Sequence, residues 1–461
     1  MVVLSGCSGG AAFPEPDLPH PVMKAISASD YIDEAGALPR ELVDAISRDL
    51  NLTASGYLAN AAAAVMAGPV IAYLEENGVD SRDIYLYGTE LRVMSEVDEL
   101  LIQSVGATVS SARSVPSTGE GIQAASSVGF LQVSDESADF RGGLPYGALV
   151  DSTFSQICTV GVNGYRQVDG LSEFITSGDC VYSNPGPYSV VDVATAGGAV
   201  GTQAEPLGAA VSGTGLSEPD GIALIEAGAS AVARPQVATW GGGVGAPGAG
   251  TPVEVRDAIA PVVGAPLCKS APQSGWTCGS IVQIGSGQAD IGTVDFETFT
   301  ASVCTMPGEM GAPGMVGQAF AGIVSTSTWS DTCNSSDQLA PNLYTSFISY
   351  KSSGGRPGIA STVGAIWEPM ISVATPAITQ VERVGRYWRV YGNIPSGSSN
   401  YKIKVVIEPP GMPPIPPVWY EVDSDGSFRF KSGILIYGSP FEITAEWGSW
   451  SKSTPVTGSF S

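Results

Sequence analysis

Six of the seven cysteines in this chain fall as three couples, Cys158 and Cys180, Cys268 and Cys278, Cys304 and Cys333, all in the middle of the sequence. Six cysteines admit about 15 pairings. Pairing of neighbours in sequence closes three short loops and implies an oxidising, extracytoplasmic compartment. No couple has a CxxC spacing, and the single histidine, His20, stands among prolines far upstream. A structural zinc site is therefore not expected and no cofactor is implied. From residue 21 to the C-terminus, no histidine general base is available to any chemistry.

A chain of 461 residues exceeds one hydrophobic core and points to roughly two to four domains. Its 21 Lys+Arg against 45 Asp+Glu give a net charge of −24, a field that repels phosphate backbones and excludes nucleic acid as a partner. Beyond the first few residues, nothing reads as a membrane span of about 20 apolar residues. Leu4-Ser5-Gly6-Cys7 resembles the end of a bacterial lipoprotein signal, with Cys7 as the lipidated residue. Residues 1–23 are accordingly expected to be a signal remnant and tether, anchoring the protein to the outer face of the cytoplasmic membrane.

Residues 24–110 read as an α/β domain. Leu42, Val43, Ile46 and Leu50 share a helical face after Pro39, and Thr53 caps an Ala-rich helix that ends at Asn77-Gly78. Pro69 is expected to end or kink that helix. Strands follow at 83–87 and 107–109, with a helix over 95–104 between them. The Ser/Thr/Gly-rich stretch 111–139 reads as a linker. Residues 140–373 are Gly-rich and short-stranded, which argues an all-β body. The run Gly241 to Gly250 lacks the Lys-Ser/Thr ending of a phosphate loop and reads as surface loop. Over 374–461, period-two alternation in Tyr387–Tyr391, Tyr401–Ile407 and Phe441–Trp447 indicates a β-sandwich of immunoglobulin or fibronectin III type. Asp423–Ser427 reads as its hairpin turn and Pro409–Pro417 as a stiff bridge. Trp419, Tyr420, Trp447 and Trp450 are either a partner or glycan surface or cross-strand packing.

Val303-Cys304-Thr305-Met306-Pro307-Gly308-Glu309-Met310-Gly311-Ala312-Pro313 has the outline of a serine-protease nucleophile loop. Together with Phe174-Ile175-Thr176-Ser177-Gly178-Asp179-Cys180 and Cys268-Lys269-Ser270 through Trp276-Thr277-Cys278-Gly279, it resembles the streptogrisin and α-lytic protease group of secreted chymotrypsin-like serine proteases. The resemblance implies a mainly β chymotrypsin-like double β-barrel behind a prosegment-like N-terminal domain. It sets Asp179 where the family has histidine, Asp220 at the aspartate and Met310 at the serine. A thioether has no proton to lose and cannot form an acyl intermediate. The resemblance thus implies a catalytically inactive homologue, and Glu309 would fix the loop through a buried charge pair. Backbone amides of Gly308 and Met310 would still face a carbonyl, and a peptide could add along Ala321, Gly322, Ile323, Val324 and Ser325. The primary pocket is expected to be partly filled. A protein or peptide partner in the cell envelope follows, with an accessory subunit of an envelope complex as one alternative. Another is a hydrolase using Asp179, Asp220 and Glu309, since paired carboxylates can do acid chemistry.

Overall fold

The computed structural model describes residues 20–94, 99–111, 139–150, 153–182, 188–192, 202–211, 221–228, 231–240, 250–285, 295–327, 333, 344–353, 355–433 and 437–461. Cys7, Asp220, residues 241–249 of the glycine run and nearly all of the 111–139 linker lie outside them.

In the N-terminal domain the Ala54–Glu76 helix starts at Thr53, whose hydroxyl accepts from Gly56 N at 3.0 Å. It ends where Val79 N reaches Leu74 O and Gly78 N reaches Glu75 O, with Gly78 at φ +90°. That closure satisfies carbonyls left over by the last turn. Of the two outcomes expected at Pro69, the helix does not end there: Pro69 lies inside Ala54–Glu76. The missing hydrogen bond and ring clash cost about 3 kcal/mol, while burial of Tyr57, Leu58, Val70, Ile71 and Leu74 returns roughly 1.5–3 kcal/mol for each large side chain. Contrary to expectation, this helix is long and apolar enough to cross a membrane, but 61% of its apolar window is buried in the fold, as befits a core helix. The strands Ile84–Tyr87, Glu90–Val93 and Thr108–Val109 form one sheet. Of the helix expected over 95–104, the described part is Glu99–Ser104.

The central body has two parts. In the first, strands Thr202–Pro206, Tyr188–Asp192, Pro145–Val150 and Thr153–Thr159 form one four-stranded sheet, and Ile222–Glu226, Ser172–Ser177, Asn163–Arg166 and Trp367–Pro369 another. In the second, Ala319–Ser327, Pro313–Val316, Pro266–Ala271, Gly275–Ile284, Thr298–Ala301 and Thr345–Ser349 pair in that order. Ala319–Ser327 also pairs with Thr345–Ser349, so the six strands close into a barrel. Closure abolishes the sheet edges.

After residue 373, Ala377–Val384, Tyr387–Asn393 and Ser427–Gly433 form one sheet. Ile415–Glu421, Tyr401–Ile407 and Pro440–Trp447, with Ser451–Lys452 and Val456–Ser459, form the second. Trp388, Val390, Phe428, Phe430, Phe441 and Ile443 are buried in the core they share with Tyr401 and Ile403. Two expectations are corrected here. Asp423–Ser427 closes tightly, with Asp423 N on Ser427 O at 2.8 Å, yet the strands it joins belong to different sheets, so it is no hairpin. The proline run is not only a bridge: Pro416 and Pro417 lie in the edge strand Ile415–Glu421, where a missing N–H is tolerated.

Both flanking domains are docked. Asp49 Oδ2 accepts from Cys278 N at 2.8 Å, Arg48 reaches Trp276 O at 3.0 Å, and the Tyr57 hydroxyl accepts from Gly317 N at 3.0 Å. One apolar cluster runs from Ala61, Val70 and Leu86 into Leu267, Ile281 and Phe347 of the closed barrel. On the sandwich side, the buried Asp257 carboxylate accepts from Ser398 Oγ at 2.6 Å and from Asn400 Nδ2 and Trp447 Nε1 at 2.9 Å. Glu368 caps the Gly448–Trp450 turn, accepting from Ser449 N and Trp450 N at 2.9 and 2.7 Å.

Candidate functional site

The 303–313 loop is built around Glu309, which is fully buried. Its Oε2 accepts from Lys269 Nζ at 2.6 Å and Met306 N at 2.8 Å, and its Oε1 accepts from Ser274 N at 2.6 Å. Lys269, also fully buried, donates to Ser274 Oγ at 2.9 Å. Burial pushes the Lys269 ammonium below its ordinary value, against the opposing pull of Glu309. The pairing expected of Glu309 thus has its cation in Cys268-Lys269-Ser270. Sequence reasoning missed Lys269, although a lone lysine inside an otherwise uncharged strand was the signal.

Two glycines set the loop's path. Gly308 and Gly311 have φ of +91° and +87°, and a Cβ on Gly311 would lie 2.2 Å from Thr176 Oγ1 and 2.4 Å from Thr159 O. Only glycine lets the loop lie this close to the first sheet body. Thr159 holds it there, donating from N to Met310 O at 2.8 Å and from Oγ1 to Gly308 O at 3.0 Å. Among the described residues, the Gly308 and Met310 amides donate to no acceptor. They remain a pair of donors at the loop surface.

Met310, half-buried, packs against the apolar clusters of both central bodies. Its carbonyl lies 3.9 Å from Cys180 Sγ. Asp179 opens the short Asp179–Tyr182 helix just ahead of that cysteine, which is bonded to Cys158. Gly178 N donates to Gly221 O at 2.8 Å, so the residues flanking Asp179 and Asp220 are joined. The other disulfides are Cys268–Cys278 and Cys304–Cys333, again neighbours in sequence. His20 lies against Tyr73 of the N-terminal domain in a tilted ring pair, with centroids 5.1 Å apart.

The peptide-docking expectation needs correction over most of its length. Gly322 and Ile323 pair with Gly314 and Pro313 on one side and with Ser349 and Ile348 on the other. Val324 bonds Ala312 and Gly311, and Ala321 O accepts from Tyr350 N. The backbone of Ala321, Gly322, Ile323 and Val324 is therefore committed on both edges, because the six-stranded barrel closes through them. Beyond Val324, Thr326 and Ser327 pair with Ser346 and Thr345. The Thr305 and Thr345 hydroxyls are 2.7 Å apart and Thr345 Oγ1 donates to Val303 O at 2.7 Å. Thr345 stands opposite Ser327. This buried chain of hydroxyls fastens the loop to the strand behind it; Thr328 and Trp329, on which the expectation of a partly filled pocket rests, lie outside the described residues. Glu309, turned inward to Lys269, is withdrawn from any surface carboxylate group with Asp179 and Asp220. No cluster of three or more metal-ligating side chains occurs among the described residues.

The aromatic surface of the sandwich resolves toward packing. Trp447 is buried on Asp257, Tyr420 lies 5.3 Å from Phe430, and Trp450 covers Gly170. Trp419 stays 50% exposed, its N–H on Glu446.

A closed six-stranded barrel beside a second antiparallel body, with a disulfide-closed, charge-anchored loop at their junction, is the arrangement of chymotrypsin-like serine proteases. Streptogrisin-C from Streptomyces griseus is 27% identical to this chain over 297 residues, 62% of this chain and 56% of that relative's length. Over part of its length the chain is thus similar to a bacterial chymotrypsin-like serine protease. It spans a little over half the length of the relative it matches. Among solved structures, Cellulomonas bogoriensis chymotrypsin aligns with 51% of this chain and 100% of its own, at 22% identity and a TM-score of 0.34. Thermobifida fusca protease A aligns with 46% of this chain and 92% of its own, at 17% identity and a TM-score of 0.31. No family model matches the chain.

Proposed function

We propose that this protein is a non-hydrolytic member of the group, a pseudoprotease that serves as a binding or scaffold protein of the cell envelope. The observation that carries this reading is Met310. It stands at the head of a loop whose buried anchor and glycine turns are intact, and its packed thioether offers no nucleophile. Asp179 as the would-be base supports the same reading. Loss of both groups removes on the order of 10⁶ in turnover in enzymes of this mechanism. Ligands would meet the Gly308 and Met310 amides through main-chain hydrogen bonds. The three disulfides belong to an oxidising, extracytoplasmic setting. Lipid anchoring at Cys7 is part of the proposal, as is retention of residues 24–110, whose apolar core continues into the barrel.

Purified protein should neither cleave chromogenic peptides or casein nor label with a fluorophosphonate. Covalent labelling of a core serine would overturn the reading. Turnover lost in Asp179→Asn would instead favour carboxylate chemistry. Isolation from intact membranes followed by mass spectrometry tests anchoring, N-domain retention and any partner subunit together; recovery of a mature chain starting after residue 110 would remove the scaffold with its docked N-domain.

A further inference from the structure

Where the closed barrel meets the sandwich, Lys351, Asn400 and Asp257 converge from three distant segments. Lys351 Nζ donates to Asn400 Oδ1, and Asn400 Nδ2 donates to Asp257 Oδ1 at 2.9 Å. Each of the three is held from its own element. Asp257, 4% exposed, lies in the short strand Asp257–Ala258, which pairs with Ala319 and Phe320 of the barrel. Lys351 follows the barrel strand Thr345–Ser349. Before it, Tyr350 N donates to Ala321 O and Tyr350 O accepts from Ala360 N; after it, Ser353 N donates to the buried Glu297 at 2.9 Å. Asn400 stands at the start of the sandwich strand Tyr401–Ile407, its own N on Ser398 Oγ at 3.2 Å. The chain neighbours Tyr350 and Tyr401 are buried, as is Trp447, whose indole also donates to Asp257 Oδ1. Burial pushes the Lys351 ammonium below its ordinary value, against the pull of Asp257.

We propose that Lys351 and Asn400 become joined by an isopeptide bond, a covalent tie between barrel and sandwich. The lysine nitrogen attacks the side-chain carbonyl carbon of Asn400, and a new N–C bond forms. Asp257 takes a proton from the attacking nitrogen and delivers it to Nδ2; the bond from that carbon to Nδ2 breaks and ammonia leaves. One amide replaces another, so nothing is oxidised or reduced and no co-reactant is needed. A desolvated lysine is the nucleophile such a step requires. A carboxylate within hydrogen-bond reach of the leaving nitrogen is its acid-base group, and the fixed partners supply orientation. The bond joins positions 49 apart, and the loop it closes contains the first two sandwich strands, Ala377–Val384 and Tyr387–Asn393. It forms whether or not the cleft hydrolyses anything.

The full-length protein, denatured, reduced and digested, should yield a branched peptide joining the Lys351 segment to the Asn400 segment. Its mass should be one ammonia less than that of the two segments together, and it should survive the reduction that opens the three disulfides. Lys351→Arg keeps a cationic donor without a usable nucleophile and should give no branch. Asp257→Asn keeps the outline of the site but cannot relay the proton, and should form the branch roughly 100-fold more slowly after synthesis. Thermal melts check that both variants are folded, and the parent's own peptide map decides the matter even where a variant is not. Recovery of Lys351 and Asn400 in separate peptides from the folded parent overturns the proposal. A branch from Lys351 to Asp257, lighter by one water, overturns the choice of Asn400 as acceptor. A branch formed undiminished in Asp257→Asn overturns the role of the carboxylate.

Discussion

Glu309 and Met310 are adjacent, and their side chains answer to opposite demands: one is sealed inside with Lys269, the other lies half-buried across the junction of the two central bodies. Removing one member of a buried ion pair leaves an uncompensated charge, whereas replacing both with apolar groups is often close to neutral. Lys269→Met is expected to cost about 3–5 kcal/mol in chemical denaturation. Lys269→Met with Glu309→Leu should recover most of that stability, although the loop loses the bonds to Met306 N and Ser274 N. A second buried acid gives a pH signature. Glu173 stands directly across from Glu226, with Arg166 Nη1 3.5 Å from its Oε1. Burial, with Arg166 opposing and Glu226 reinforcing it, pushes Glu173 up to about 7. The folded state thus holds this proton more tightly than the unfolded chain. Its contribution to stability is full below the ordinary glutamate value and is lost as pH rises through about 7. Melting temperatures should fall across that range in the parent and fall less in Glu173→Gln.

The N-terminal domain meets the barrel where backbones nearly touch. Leu86 N donates to Val263 O at 2.8 Å, and a Cβ on Gly264, at φ +85°, would lie 2.0 Å from Leu86 O. Gly264→Ala is therefore strained twice, by conformation and by collision with backbone. Limited proteolysis should release residues 20–111 from this variant sooner than from the parent; equal rates would show that the contact does not hold the domain. How much of this was legible beforehand depended on the type of pattern. Period-two alternation displayed the sandwich strands, and Thr53 and Asn77-Gly78 marked the ends of a helix. The same local rules could not say whether Pro69 would end its helix; it does not, because burial along the whole helix outweighs one lost bond. They misread Asp423–Ser427, because a tight turn does not reveal which sheet its next strand joins. The loop was recognised by its residue order, but Lys269 was not, since its partner lies 40 residues away. Nor does a sequence say that Ala321–Val324 have neighbours on both sides.

At the scale of the molecule, the sandwich is fixed to the body by carboxylates that meet neutral donors. Asp257 gathers the Ser398 hydroxyl, the Asn400 amide and the Trp447 indole, and Glu368 holds the turn under Trp450. Asp257→Ala would strand those buried donors, at roughly 1–3 kcal/mol each. Calorimetry should show one cooperative transition for the parent and a separate, earlier melting of the sandwich in that variant. A single transition in both would mean that the shared apolar cluster alone couples the domains. The first and last domains also meet: Lys24 pairs with Asp425, and Ser396 donates to Glu34 at 3.0 Å. A pull applied near residue 20 would thus be shared at once with the last domain. The load would spread over the whole ring of contacts before any single helix began to unravel.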